Sequence, residues 1–219
     1  MVQELVKLYG NNVIIDNSQD YFGKKYDGGW SFNSARKFFG VPDGAYLYSP
    51  VDLPAAYETN RNFITDHLVM RLDGRQQEAF QFFKKNEEMQ TCQPFLISNF
   101  SRSVLSAVDY EDVALKRKAN YDFYHGYLTS LNRLNDTRPD KSDAPFCYPF
   151  LPESGIDLSF FYKEDIYIPM LWKDVIERPG DAFLWEKEIS STLLCLPVDQ
   201  RYSKDDLLFI VKLIKERTK

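Results

Sequence analysis

The sequence predicts an α/β protein in two parts. Residues 1–108 read as a partial large-domain sheet with linking helices, and residues 109–219 as an interdomain helix followed by a small α/β C-terminal domain. Three observations carry this. Short apolar runs bounded by turn residues occur near both ends, at Val13–Ile15 and Thr192–Leu196. Stretches with helical spacing lie between them. A polar stretch from Asn132 to Pro145, holding two prolines and several aspartates, reads as a linker.

Val2–Tyr9 carries Leu5, Val6 and Tyr9 at amphipathic helix spacing, and Asn11-Asn12 ends it. Val13-Ile14-Ile15 then suits a strand buried on both faces of a parallel sheet. Gly28-Gly29 punctuates the next segment, and Trp30–Asn33 and Ala45–Tyr48 are further strand candidates. From Pro50 to Ser101 the pattern is helical, with Ala79, Phe80 and Phe83 on one face and Lys84, Lys85, Glu87 and Glu88 toward solvent. Ser101 is placed to cap a short helix bearing Val104, Leu105 and Val108. Asp109, with Asp112 three residues on, is placed to cap a longer one. Its stripe is Val113, Arg117, Asn120, Tyr121, Tyr124, Leu128 and Leu131. After the linker, Cys147–Leu151, Ile166–Trp172 and Thr192–Leu196 read as strands. Ser203 with Asp206 opens a last helix that ends in lysine and arginine, as the helix dipole favours.

Composition narrows the function. In 219 residues, 44% hydrophobic, there is enough apolar material for a substantial core. A net charge of −5 without a basic block argues against a nucleic-acid surface. Cys92, Cys147 and Cys195 are odd in number and far apart, which suits reduced thiols in the cytoplasm. His67 and His125 lack metal-ligand spacing to each other or to the cysteines. No apolar run is long enough for a membrane span, and the N-terminus is not a signal peptide.

The segment from Val13 to Tyr48 is the most informative. A strand ends in Asp16, and Gln19 follows in an Asp-x-x-Gln arrangement. Gly28-Gly29 comes next, then Ser34 and Lys37 in a Ser-x-x-Lys turn, then Gly40-Val41-Pro42-Asp43-Gly44-Ala45 and another strand. This order resembles the core of the pyridoxal-phosphate-dependent aminotransferases of the aspartate-aminotransferase fold, closest to their sugar-aminotransferase branch. The resemblance continues through residues 98–121, with Arg117 and Asn120 at familiar places. It extends to Tyr167-Ile168-Pro169 with Trp172, and to Leu196–Tyr202, and so spans nearly the whole chain. Two departures stand out. Ser31-Phe32-Asn33 replaces the Ser-Phe-His usual before the lysine, and Pro42-Asp43-Gly44-Ala45 replaces a Gly-Glu-Gly-Gly turn. They leave a sugar-nucleotide substrate open.

The resemblance implies roles. Lys37 would form the Schiff base with pyridoxal 5'-phosphate and move the substrate's α-proton, with burial and the neighbouring Arg36 favouring its free amine. Asp16, at the carboxyl end of a strand, would keep the pyridine nitrogen protonated so that the ring serves as an electron sink. Gln19 would lie beside the ring, and Ser34 would hold the phosphate. The residues taken singly also allow plainer readings. Asp16 and Gln19 would cap a strand-to-loop turn, and Lys37 would be a solvated lysine beside Arg36. Arg201 suits a substrate carboxylate, but better a local ion pair before the last helix. His67 and His125 read as packing or surface residues.

In complete enzymes of this fold the core lies mid-chain, whereas here it lies near the start. The glycine-rich phosphate cradle and the ring-stacking aromatic are therefore expected outside this sequence, in a separately encoded N-terminal half or through truncation. The full enzyme would be a cytoplasmic homodimer acting on a small amino donor and a keto acceptor, with no nucleic acid or membrane as partner. The competing reading is a non-catalytic binding or assembly module, or a degenerate remnant of the same fold.

Overall fold

The computed structural model describes residues 2–23, 25–53, 57–134, 144–180 and 182–218. The chain divides into two compact units, residues 1–109 and 110–219. The linker expected over Asn132–Pro145 lies largely outside the described residues.

The first unit opens with helix α1 (Val2–Tyr9) and strands β1 (Ile14–Asn17), β2 (Trp30–Asn33) and β3 (Leu47–Tyr48). Strands β1 and β2 are parallel, with Ile14 opposite Trp30 and Asp16 opposite Phe32. Strand β3 runs antiparallel to β2, with Leu47 opposite Phe32. The order β1-β2-β3 leaves β1 on an edge. Side chains alternate across a strand, so one face carries Ile14, Asp16, Phe32 and Leu47, and the other Ile15, Ser31 and Asn33. Ser31 and Asn33 are buried, whereas Ile14 is 71% exposed and Leu47 53% exposed. The strand expected to be buried on both faces is therefore an edge strand with its apolar face open. On that more open face Trp30 and Phe32 are half-buried.

Helices α2 (Asp66–Leu72), α3 (Gln76–Glu88) and α4 (Asn99–Ser106) complete this unit. The buried positions of α3 are Ala79 and Asn86, while Phe80 is half exposed and lies over the surface under Lys84. The apolar face read from Ala79, Phe80 and Phe83 is thus partly wrong, because a polar residue takes the central inward position. Helix α4 starts three residues earlier than expected. Ser98, not Ser101, is its cap, with the Ser98 hydroxyl accepting from the Ser101 amide at 3.1 Å. Ser101 sits inside the helix and gives its hydroxyl to Asp43.

The second unit is built on α5 (Tyr110–Leu128), whose buried residues are Val113, Arg117, Asn120, Tyr121, Tyr124 and Leu128. It packs against the hairpin-like pair β4 (Cys147–Phe150) and β5 (Leu194–Pro197), which are antiparallel, and against α9 (Lys204–Arg217). The short helices α6 (Leu158–Tyr162), α7 (Lys173–Glu177) and α8 (Leu184–Thr192) lie between the strands in sequence. The Ile166–Trp172 segment is not a strand. Pro169 offers no amide to a ladder and Trp172 has a positive φ of 52°. Ile168 is nonetheless buried and anchors the segment to the core. The expected capping box of α9 is present: Ser203 accepts from the Asp206 amide at 3.3 Å, and Asp206 accepts from the Ser203 amide at 2.8 Å.

Buried Arg117 organises this unit. Its Nε donates to Gln200 at 2.9 Å, Nη1 donates to the Pro145 carbonyl at 3.0 Å, and Nη2 approaches Asp199 at 3.5 Å. Burial pushes its pKa down and Asp199 opposes this, and a guanidinium stays charged regardless. Asn120 donates to the Asp199 carbonyl at 2.9 Å. One turn of α5 thereby fixes the segment after β5 to the segment before β4.

His67 supplies a test of the first unit. It is 3% exposed on α2, lies edge-on to Phe83, and its Nδ1 has no hydrogen-bond partner. Burial, then Arg71, lowers its pKa, with Glu87 and Asp66 pulling the other way. The unfolded chain therefore takes up the proton first, near the ordinary histidine value of about 6.5. Stability from neutral His67 should be full above that pH and decline as pH falls below it. Urea unfolding on both sides of about pH 6.5 should show this decline, and His67→Phe should flatten it.

Candidate active site

Strand β1 delivers Asp16 to the end of the sheet, and the chain then turns. The Ser18 amide donates to Asp16 Oδ1 at 2.8 Å, an Asx turn that bends the backbone after the strand. Ser34 follows β2 in extended conformation and starts a short 3-10 turn, Ala35–Lys37. Lys37 Nζ donates to Ser18 Oγ at 3.4 Å. The Ser18 hydroxyl also bonds the Asp16 carboxylate. Asp16, Ser18 and Lys37 thus form one chain of charge and hydrogen bonds. The Ser18 hydroxyl and then its amide hold Asp16 below the usual carboxylate range, with Lys37 adding a smaller attraction.

Of the four residues expected from sequence, the structure brings Asp16 and Lys37 together. Gln19 stands directly after Ser18 in the same turn, half-buried. Ser34 is the residue before the Lys37 turn, and its side chain makes no capping bond. Lys37 is exposed, and Arg36 does not crowd it, because the Arg36 guanidinium pairs with Glu87 of α3. The burial expected around Lys37 is absent in this unit. Ser18 was missed. Its signal was the two-residue spacing after Asp16, which an Asx turn requires.

What holds the turn is better buried than what it presents. The Ala35 amide donates to the Gly44 carbonyl at 3.0 Å, and the Phe38 and Phe39 amides donate back to Ala35. Gly44 has φ of +118°, and a Cβ there would come within 2.6 Å of the Ile97 side chain, so only glycine fits. Asp43, beside it, is 5% exposed. It accepts from the Ser98 amide at 2.9 Å, the Ser98 hydroxyl at 2.7 Å, Asn60 Nδ2 at 2.8 Å and the Ser101 hydroxyl. Burial would raise its pKa, but these four bonds outweigh burial and leave it lowered. Asn86 of α3 donates to the Pro42 carbonyl at 3.0 Å and accepts from the Ile64 amide at 3.1 Å.

The Asp16 side is fastened to the Lys37 side by two further links. Buried Asn33 donates to the Tyr21 carbonyl at 3.2 Å and accepts from the Tyr46 amide at 2.8 Å. An aromatic cluster joins Tyr21 and Phe22 of the first loop to Phe38 and Phe39 of the second, with Tyr21 and Phe39 ring centroids 4.9 Å apart. Such edge-to-face contacts add about 0.5–1.5 kcal/mol each beyond burial. A separate cleft of about 580 Å³, lined by Glu58, Thr59, Asn60, Arg61, Asn62 and Phe95, contains none of the site residues. Arg201 pairs with Asp199 at 2.8 Å, the local ion pair that the sequence favoured.

No protein-family model matches the chain, and no curated protein matches it. Solved structures do. The sugar aminotransferase CalS13 from Micromonospora echinospora superposes with a TM-score of 0.58 at 12% identity, over 93% of this chain and 58% of that one. A DegT DnrJ EryC1 StrS aminotransferase from Brucella abortus gives 0.57 at 16%, over 99% and 60%. A Bacillus cereus protein described as a PLP-dependent aminotransferase gives 0.57 at 12%, over 98% and 60%. The chain therefore has an α/β fold shared with sugar and PLP-dependent aminotransferases, and it spans about three-fifths of their length. No helix among the described residues is long and apolar enough to cross a membrane.

Two substitutions probe this arrangement. Ser18→Ala removes the leading cause of the lowered Asp16 pKa, so the Asp16 carboxyl titration, followed by NMR, should move back up toward the ordinary aspartate range. Asp43→Asn should destabilise the first unit by about 3 kcal/mol in denaturant titration, because it removes charge-assisted bonds and sets an amide against existing donors.

Proposed function

We propose that the chain supplies the lysine and carboxylate of a pyridoxal-phosphate-dependent aminotransferase. The Asp16–Ser18–Lys37 chain carries the reading, since it lies in a fold shared with enzymes of that kind. The donor set suits the cofactor: an ionised carboxylate, a primary amine one hydroxyl away, and serines at both turns. When bound, pyridoxal 5'-phosphate supplies an electron sink for bonds breaking at the substrate α-carbon. Lys37 would hold the cofactor through its Nζ and move a proton there. Asp16, held below the usual carboxylate range, would hold the ring nitrogen's charge. Gln19 would lie beside the ring, and Ser34 would hold part of the phosphate.

The rest of the phosphate cradle and a stacking aromatic belong to an N-terminal half of the fold, on a separate chain or a preceding segment. On this reading residues 1–108 are part of the large domain with its linking helices, and 109–219 the interdomain helix and the small C-terminal domain. The assembled protein is a cytoplasmic homodimer using a small amino donor and a keto acceptor. The open apolar face of β1–β3 supports a need for such a covering layer. It also supports the second reading, a non-catalytic assembly module that keeps the fold for the sake of that face.

Mixing the chain with pyridoxal phosphate and a complementing N-terminal half, then reducing with borohydride and mapping peptides, separates the two. The enzymatic reading expects a pyridoxyl group on Lys37, abolished by Lys37→Ala. It also expects only weak labelling in the isolated chain and a strong loss of turnover in Asp16→Asn with folding stability nearly unchanged. Labelling spread over other lysines with Lys37 clean would leave the assembly module as the better account.

A further inference from the structure

The second unit contains a thiol pair that the proposed chemistry does not use. In the β4–β5 register Cys147 lies opposite Pro197 and Cys195 opposite Pro149. Alternation then puts both cysteines on one face of the two-stranded sheet, diagonally across the ladder. The opposite face, with Tyr148, Phe150, Leu194 and Leu196, is fully inside the core. Cys195 is 3% exposed and Cys147 is half-buried, so Cys147 is the more accessible of the two residues. The two thiols influence one another: Cys195 and burial push the Cys147 thiol up, and Cys147 draws the Cys195 thiol down. The buried Arg117 guanidinium lies near Cys147 and donates to the neighbouring Phe146 carbonyl at 3.4 Å.

We propose that Cys147 and Cys195 form a dithiol site that a low-molecular-weight disulfide such as oxidised glutathione converts reversibly to a disulfide across β4 and β5. The Cys147 thiol first gives its proton to solvent. The Cys147 sulfur attacks one sulfur of oxidised glutathione, forms a mixed disulfide and expels a glutathione thiolate. The Cys195 sulfur, its proton released to solvent, attacks the Cys147 sulfur. The Cys147–Cys195 bond forms and the second glutathione thiolate leaves. Two electrons pass from the pair to glutathione. Cys195 and burial push the Cys147 thiol up and Arg117 only partly opposes them, so the first step is expected to speed up as pH rises. The diagonal placement requires a small shear of two four-residue strands to close the bond, and a bond made under such strain is readily reduced again.

The full chain with the exposed Cys92 replaced, Cys92→Ser, is treated natively with oxidised glutathione and mapped by mass spectrometry. The expected product has lost two hydrogens and yields a linked Cys147–Cys195 peptide, in at least ~10-fold excess over mixed disulfide at either cysteine, because the second step is intramolecular. Reduced glutathione should reverse it. Phenylarsine oxide, which bridges adjacent thiols, should bind the unaltered folded chain in a one-to-one ratio at this pair. That measurement needs no substitution in the strands. Separate glutathione adducts on Cys147 and Cys195 without a link would overturn the proposal. So would thiols that react only in urea, or arsenical binding that needs Cys92.

Discussion

A buried carboxylate, Asp43, is the constraint on which the candidate site depends. Removing a carboxylate from water costs several kcal/mol unless its lone pairs are met. Here they are met by Asn60, by both donors of Ser98, and by Ser101. The same atoms that make Asp43 tolerable bring the loop after Lys37 against the start of α4. Ser98 acts twice, as cap of α4 and as donor to Asp43, so the helix and the loop set one another's position. Gly44 follows with a backbone shape no other residue adopts comfortably, and its carbonyl anchors Ala35 two residues before Lys37. The lysine's base is thus rigid although its tip is exposed.

The sheet in the first unit is inverted relative to simple expectation. Its buried face carries Ser31 and Asn33, and its open face carries Ile14, Phe32 and Leu47. Polar groups survive inside because Asn33 is bonded to Tyr21 and Tyr46. An apolar face is left open at a cost that a covering layer would remove. Asp16 lies on that same open face, in register with Phe32. The site and the uncovered surface are consequently one region of the molecule.

Much of this was legible in the sequence where local rules dominate. The α5 stripe from Val113 to Leu128 follows helical spacing, and Ser203 with Asp206 makes a capping box, so both depend only on near neighbours. The β1 and β2 strands were read from residue order, whereas Asp16 and Lys37 were singled out by the resemblance and no link between them through Ser18 was expected. The failures came where distant chain decides. Ser101 looked like a cap because Asp43, 58 residues away, was not visible as the owner of its hydroxyl. Phe80 looked like core because nothing local says that Asn86 is needed inward to hold Pro42. Val13–Ile15 looked buried on both faces because an apolar run reports preference for burial and not whether a partner layer is present. Ile166–Trp172 has strand-like composition, but among the described residues no strand pairs with it, and Pro169 withholds an amide.

The electrostatics of Asp16 and Lys37 show what the first unit can and cannot do by itself. Charges near a surface interact at an effective dielectric far above that of a dry interior, so the attraction across Ser18 is modest where both groups are exposed. The Ser18 hydrogen bonds, more than Lys37, set the Asp16 charge. On the proposed reading, proton movement at a carbon acid would require the same groups to work with water excluded, where fixed dipoles and charges count for more. The fold has already fixed their positions through Asp43, Asn33 and the Tyr21–Phe39 cluster. The remaining requirement is a low-dielectric surrounding. The exposed Ile14 and Leu47 on the face that carries Asp16 are the surface against which a covering layer would exclude that water.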